Sequence, residues 1–324
     1  MSLLEVKDLE VQYITSDEVI HAINGISFSL EKGECMGLVG ETGAGKTSTA
    51  LSIIRLLPDP PAKVPNGKIL YNSRDLLKMP EHEMQRIRGN DITMIFQDPM
   101  TALNPLKRIG DQIAEVIKIH QDCSNEKANV KAREMLEAVG IQAERASEFP
   151  HEFSGGMKQR VVIAIALACE PSLLLADEPT TALDVTIQAQ VMEMMVELRR
   201  KYQMSMLFIT HDLGVVAQIC EKVSIMYAGE IVESGRIDDI YLKTSHPYTK
   251  GLFDSIPSLV KDVERLEPIK GMIPNPADLP DGCKFHPRCV HNSEKCRNIH
   301  PATVNLGDGH LVSCHLYGKE GDTI

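Results

Sequence analysis

Residues 37–54 read GLVGETGAGKTSTALSII, and this stretch decides the fold. A short apolar run ends at a glycine loop, and from Lys46 onward the apolar spacing turns helical, giving the order strand, glycine-rich turn, helix. Gly40 to Thr47 fit the spacing G-x-x-x-x-G-K-[ST] at every fixed position. Gly40, Gly43 and Gly45 let successive backbone N–H groups curl around phosphate oxygens. The helix start aims the positive end of its dipole at them, and Lys46 adds a point charge. Thr47 can place its hydroxyl on Mg²⁺, and Thr42, Ala44 and Ser48 complete the cradle. Binding of ATP or GTP is the expectation.

The companion stretch is SLLLADE, residues 172–178. A buried strand ends there in two carboxylates. Asp177 can reach the Mg²⁺ shell, while Glu178, one residue on, can polarise a water for in-line attack on a γ-phosphate. Around these motifs SMLFIT (205–210) and DITMIFQD (91–98) carry further short apolar runs of the buried-strand type, and TIQAQVMEMMVELRRKY (186–202) has the spacing of a crossover helix. KVSIMYAGEIVESG (222–235) reads as a closing hairpin, and residues from about 107 to 168 read as helical. The expected fold class is therefore α/β. It has a P-loop NTPase core with a mixed sheet, an antiparallel β subdomain, a helical insertion at about 99–170 and a small Cys-rich C-terminal region. The texture changes to Pro, Gly, Cys and His beyond about residue 255, so the domains are placed at 1–255 and 256–324.

With 324 residues, 43% of them hydrophobic, the chain can bury a large core and is long enough for two domains. A formal net charge of −11 argues against a broad basic face for nucleic acid. No stretch approaches the roughly 18–20 uninterrupted apolar residues of a spanning helix, and the start lacks the order of a signal peptide. The chain is expected to stay in the cytosol, where thiols remain reduced.

Of eight cysteines, Cys35, Cys123, Cys169 and Cys220 are scattered singly. Cys283, Cys289, Cys296 and Cys314 form a late cluster with the spacing C-x5-C-x6-C-x17-C. That spacing is too open for the tight Cys pairs of common zinc knuckles, and the segment is too small and proline-rich to build a core unaided, so in a reducing compartment the need for a staple points to metal rather than disulfides. Four thiolates suit a structural Zn²⁺ or a [4Fe–4S] cluster. His286, His291 and His300 could substitute as zinc ligands, and Lys284, Arg288 and Arg297 would offset the charge of an anionic cluster.

FSGGMKQR (153–160), ahead of LLLADEPTTALD (173–184), resembles the ATP-binding cassette family of transporter ATPases, over roughly residues 3–255. The resemblance implies that Tyr13 stacks on adenine, that Gln97 senses Mg²⁺ and the membrane partner, and that His211 contacts the γ-phosphate beside the catalytic Glu178. It implies that Ser154, Gly155 and Gly156 bind the γ-phosphate held by an opposite subunit, and that Asp184 contacts that subunit. The loop QDPMTALNPL (97–106) would dock on a membrane subunit. Phe153 and Met157 depart from the common Leu and Gln of the signature and resemble the peptide-importer branch. LPDGCKFHPRC (279–289) resembles the carboxy-terminal extension of dipeptide, oligopeptide and, in some relatives, nickel importers. Members with four cysteines resemble iron–sulfur proteins, which favours the cluster over zinc. The implied protein is a peripheral ATPase on the cytoplasmic face of the membrane. Its partners would be two permeases, an external binding protein and a second cassette, either a distinct homologous chain or a second copy. A cassette ATPase acting on nucleic acid is the rival from another class.

Overall fold

The structure, a computed structural model, describes residues 2–97, 102–181, 183–255 and 268–317. Four residues of the expected docking loop, 98–101, and residues 256–267, which carry the expected domain boundary, lie outside the described residues. The strands are β1 (Ser2–Ile14), β2 (Val19–Glu31), β3 (Cys35–Val39), β4 (Ala62–Tyr71), β5 (Arg74–Asp75), β6 (Ile92–Ile95), β7 (Leu173–Asp177), β8 (Ser205–Thr210), β9 (Lys222–Tyr227), β10 (Glu230–Arg236), β11 (Thr303–Asn305) and β12 (Leu311–Ser313). The helices used below are α1 (Lys46–Ile53), α2 (Glu81–Ile87), α3 (Ile109–His120), α4 (Asn125–Ala138), α5 (Gly155–Leu167), α6 (Val185–Tyr202), α7 (Leu213–Ile219), α8 (Ile237–Leu242), α9 (Pro247–Asp254) and α10 (Glu294–Asn298).

The chain forms two compact units. One comprises Leu4–Ser29, Met36–Leu70 and Thr210–Ile324. In it β2, β1 and β4 lie side by side in that order. A mixed sheet holds β3 parallel to β9, with Met36 opposite Lys222 and Val39 opposite Ile225. β9 pairs antiparallel with β10, and a bulge interrupts the pairing between Ile231 and Glu233. β3 is buried along its whole length, as expected of a strand covered on both faces. The late cysteine-rich segment adds to this sheet. β12 pairs antiparallel with β10, Glu233 opposite Val312, and β11 pairs with β12. Val312 is fully buried, so the tail shares the core of the unit.

The other unit comprises Met1–Leu3, Leu30–Cys35 and Tyr71–Ile209. Its core is a parallel run of β6, β7 and β8, with Ile92 opposite Leu173 and Asp177 opposite Ile209. β7 and β8 are buried throughout, which matches their unbroken apolar reading. The helical insertion is formed by α3, α4 and α5. On α5 nearly every apolar residue is buried, from Val161 to Leu167, so the helix is an internal post rather than a one-sided surface helix. α3 buries Ile109, Ile113 and Ile117, and α4 buries Ala128, Ala132 and Leu136, each along one stripe.

Candidate functional site

The phosphate loop occupies the turn between β3 and α1. Lys46 is 6% exposed and folds back over the loop, its Nζ donating to the carbonyls of Gly40 at 2.8 Å and Glu41 at 3.1 Å. Gly45 caps α1 with φ +99°, and a Cβ there would lie 2.4 Å from the carbonyl oxygen of Ala22. Both the backbone angle and the space require glycine. Thr42, Gly43 and Thr47 are exposed at the rim, while Ala44 is buried beneath it. Tyr13 is half-buried, and its hydroxyl lies 3.1 Å from Ser48 Oγ on α1. The expected adenine-stacking residue is thus tied to the helix that starts at the phosphate loop. His211 is exposed and directly follows β8.

In the unit built on β6, β7 and β8, Asp177 is 1% exposed at the end of β7. Glu178 follows it with φ +46°, a left-handed conformation unusual for a non-glycine residue. Three contacts hold it there. Its N–H donates to Ile209 O at 2.9 Å. Its Oε2 accepts from Gln97 Nε2 at 3.1 Å and from Thr181 Oγ1 at 3.0 Å. The two residues expected to act on the γ-phosphate and on its metal are therefore joined directly, through a side chain 81 positions away in sequence.

The signature motif sits at the start of α5. Ser154 caps the helix, its side chain accepting from Met157 N, and Gly155 is exposed with open space where a Cβ would stand. Gly156 has a different reason: a Cβ would come 2.6 Å from Ile187 Cγ2 on α6. Glycine there lets α5 and α6 approach closely. The two departures from the common motif are engaged by one residue. Arg145 lies 4.4 Å from the Phe153 ring centroid, and its Nη1 is 3.2 Å from Met157 Sδ. Arg145 also pairs with Glu148 at 2.6 Å. Sequence reasoning missed Gln159. It is fully buried on α5 and donates to Pro179 O, immediately after Glu178, linking the signature helix to the hydrolytic strand end. Its meaning comes from burial and from the Pro179 carbonyl, neither of which the sequence displays. Asp184 caps α6, accepting from Ile187 N at 2.9 Å, and remains exposed.

All four late cysteines line one cavity of about 160 Å³, with Phe285, His246, His286, His291 and His315 among its other walls. Burial pushes the Cys283 thiol up to about 11 and raises Cys289 and Cys314 as well. Burial holds His246 down to about 3, so it faces the cavity neutral. Among the described residues no three His, Cys, Asp or Glu side chains are grouped as a preformed metal site. The expected counter-charges are corrected by the geometry. Lys284 donates to Pro280 O, Arg297 to Asn292 Oδ1, and Arg288 to Glu41, whereas the cation lining the cavity is Lys295. His300 also stands apart, bonded to Glu230 at 3.0 Å. Among the scattered cysteines, Cys169 is buried and raised to about 11 by that burial, as an inert apolar group would be.

The ABC transporter model matches residues 23–181, and the model for the C-terminal region of oligopeptide/dipeptide transporters matches residues 232–296. The oligopeptide transport ATP-binding protein AppD of Bacillus subtilis (strain 168) is 47% identical over 322 residues, covering 99% of this chain and 98% of AppD. The chain belongs to the ABC transporter family. The oligopeptide transport ATP-binding protein OppD of Escherichia coli (strain K12) is 47% identical over 319 residues, covering 97% of this chain and 93% of OppD. Among solved structures, the dimeric ABC transporter cassette MJ0796 aligns with TM-score 0.65 at 26% identity, over 72% of this chain and 98% of its own. The post-hydrolysis dimer of MJ0796 bound to ADP and Pi aligns with TM-score 0.65 at 25% identity and the same coverage. As an ABC ATPase the chain binds and hydrolyses ATP. Among its described residues no helix is long and apolar enough to cross a membrane.

Proposed function

We propose that this ABC ATPase powers import of oligopeptides or dipeptides, hydrolysing MgATP on the cytoplasmic face of the membrane. Two permeases, an external binding protein and a second cassette would complete the machine. The observation that carries the substrate class is likeness over almost the whole chain to peptide transport ATP-binding proteins, including the C-terminal region. Nickel remains the second reading for the transported substrate.

Within the site we assign Lys46 and the loop N–H groups to the phosphates, and Tyr13 to the adenine. Thr47, Asp177 and Gln97 would hold Mg²⁺, whose chemistry is to neutralise charge on the β- and γ-phosphate oxygens. The donor types fit: a hydroxyl, a carboxylate and an amide oxygen suit a hard cation. Glu178, gripped by Gln97 and Thr181, orients the attacking water, and His211 steadies the γ-phosphate. Ser154, Gly155 and Gly156 at the start of α5 offer N–H donors and a positive dipole end to the phosphate of an opposing cassette, with Asp184 at the same interface. Closure over ATP and opening after hydrolysis would then move docked permeases between two states. Residues 1–255 are assigned to this cassette and 256–324 to a cysteine-rich domain.

The four-cysteine cavity is assigned to a [4Fe–4S] cluster, with zinc as the alternative. Four thiols lining one cavity support the assignment. We give it a fastening role.

Glu178→Gln should abolish steady-state hydrolysis while MgATP binding persists, read by phosphate release and nucleotide binding on one preparation. Retained turnover would overturn the role of Glu178. Uptake of labelled dipeptide by the assembled complex should require this chain, and uptake of nickel alone would move the substrate assignment. Protein purified without oxygen should carry about four irons per chain with a broad band near ~400 nm. One zinc and no colour would replace the cluster by a structural ion.

A further inference from the structure

One side chain of the cysteine-rich segment leaves that segment and grips the phosphate loop. Arg288, adjacent to Cys289, has a side chain only 4% exposed. Its Nη1 donates to Glu41 Oε2 at 2.6 Å and its Nη2 to Glu41 Oε1 at 3.1 Å, a two-point fork on a single carboxylate. The guanidinium is fixed from behind by the carbonyls of Ile269 at 3.4 Å and Lys270 at 3.3 Å. It also lies over the Tyr227 ring, 5.7 Å from its centroid. Glu41 is the residue after Gly40 in the phosphate loop, and every polar part of it is held. Its N–H donates to Tyr248 Oη at 3.0 Å, its carbonyl accepts from Lys46, and its carboxylate is taken by Arg288. Tyr248 and Tyr227 pack on each other and on Phe285, which lines the four-cysteine cavity. The loop is thus anchored in a buried aromatic block supplied largely by residues far along the chain.

We propose that Arg288 is a positioning residue for nucleotide binding: it acts through Glu41, cancelling a carboxylate that would otherwise repel the phosphates. The inference rests on the reading of residues 40–47 as the phosphate site. A glutamate in this loop is a liability, because it adds a negative charge beside a bound polyanion. The fork removes the liability. At an effective dielectric constant near 20, one uncompensated charge about 12 Å away corresponds to about a tenfold change in affinity.

The test uses the full-length chain and MgATP binding by calorimetry, with thermal melting of each variant. Wild-type binding is the control, and its absence would refute the phosphate-site reading itself. Arg288→Gln should weaken MgATP about tenfold, raising KM while leaving kcat within about twofold. Adding Glu41→Gln should restore affinity to within about threefold of wild type, because the repelling charge is then gone. A purely structural role would not yield that restoration. Removing one partner of a buried pair can unfold a protein, so the double variant, which leaves no unpaired charge, supplies the independent arm. Glu41→Gln alone keeps an amide oxygen as acceptor for Arg288 and should bind MgATP at least as tightly as wild type. Unchanged affinity in folded Arg288→Gln, failure of the double variant to recover, or weakened binding by Glu41→Gln would each overturn the proposal.

Discussion

Glu178 shows how far a single side chain is prepared in advance. In the proposed role of orienting the attacking water, a glutamate free to rotate would lose conformational entropy on each cycle. Here the left-handed backbone and the contacts from Gln97 and Thr181 have already fixed it. Thr181→Val, close to isosteric, should therefore lower turnover about tenfold, the worth of one hydrogen bond to a charged group, while MgATP affinity stays unchanged. Parallel measurement of kcat and nucleotide affinity checks it, and a fall in affinity would place Thr181 in binding instead. At this scale the sequence was most legible. The phosphate loop stands out through the spacing of its glycines, lysine and hydroxyl, and the strand-end acids gain their meaning only beside it. Gln159 and Arg145 were not legible, since a buried amide and an arginine acquire meaning only from the carbonyl or ring they meet.

Between elements, the spacing of α5 and α6 is set at Gly156. The 2.6 Å separation between its virtual Cβ and Ile187 Cγ2 leaves no room for even a methyl group. Gly156→Ala should destabilise the protein by ~1–3 kcal/mol through overpacking. The double variant with Ile187→Ala should recover most of that loss, read by denaturant unfolding. The glycine thus has a packing reason in its own subunit as well as the proposed contact with phosphate across an interface. The helices α3 and α4 could be read from periodicity because each buries one stripe, whereas α5, buried nearly all round, and β9, buried along most of its length, carry no such alternation. The short strands β11 and β12 could not. Three residues each, in a stretch of Pro, Gly and His, give too little pattern to distinguish from loop.

For the molecule as a whole, the C-terminal segment emerges as a structural partner of its unit rather than an appendage. Besides the Arg288 fork, it brings a strand onto β10, and His310 bonds the buried Glu233 at 2.8 Å. Glu233 also receives the N–H groups of Ser245 and His246, so its carboxylate is shared between the start of α9 and the tail. Val312→Asp, which would place an unpaired charge at a fully buried position, should cost ~3 kcal/mol or more and lower the melting temperature. Substituting Val312 by alanine should cost less, because it leaves only a cavity. This attachment was not readable from sequence: a composition change suggests separation, whereas strand pairing depends on partners far apart in the chain.

The pairing of β10 with β12 carries a consequence for how the protein is made. β10 leaves the ribosome with one neighbour, β9, already available and the other still unsynthesised. At ~5–20 residues per second, its far edge stays open for several seconds until Leu311–Ser313 arrives. An open strand edge is a template for another chain. Synthesis that stalls within the cysteine-rich segment therefore leaves a nearly complete cassette with a sticky margin, and nascent chains halted there should be the ones that chaperones hold.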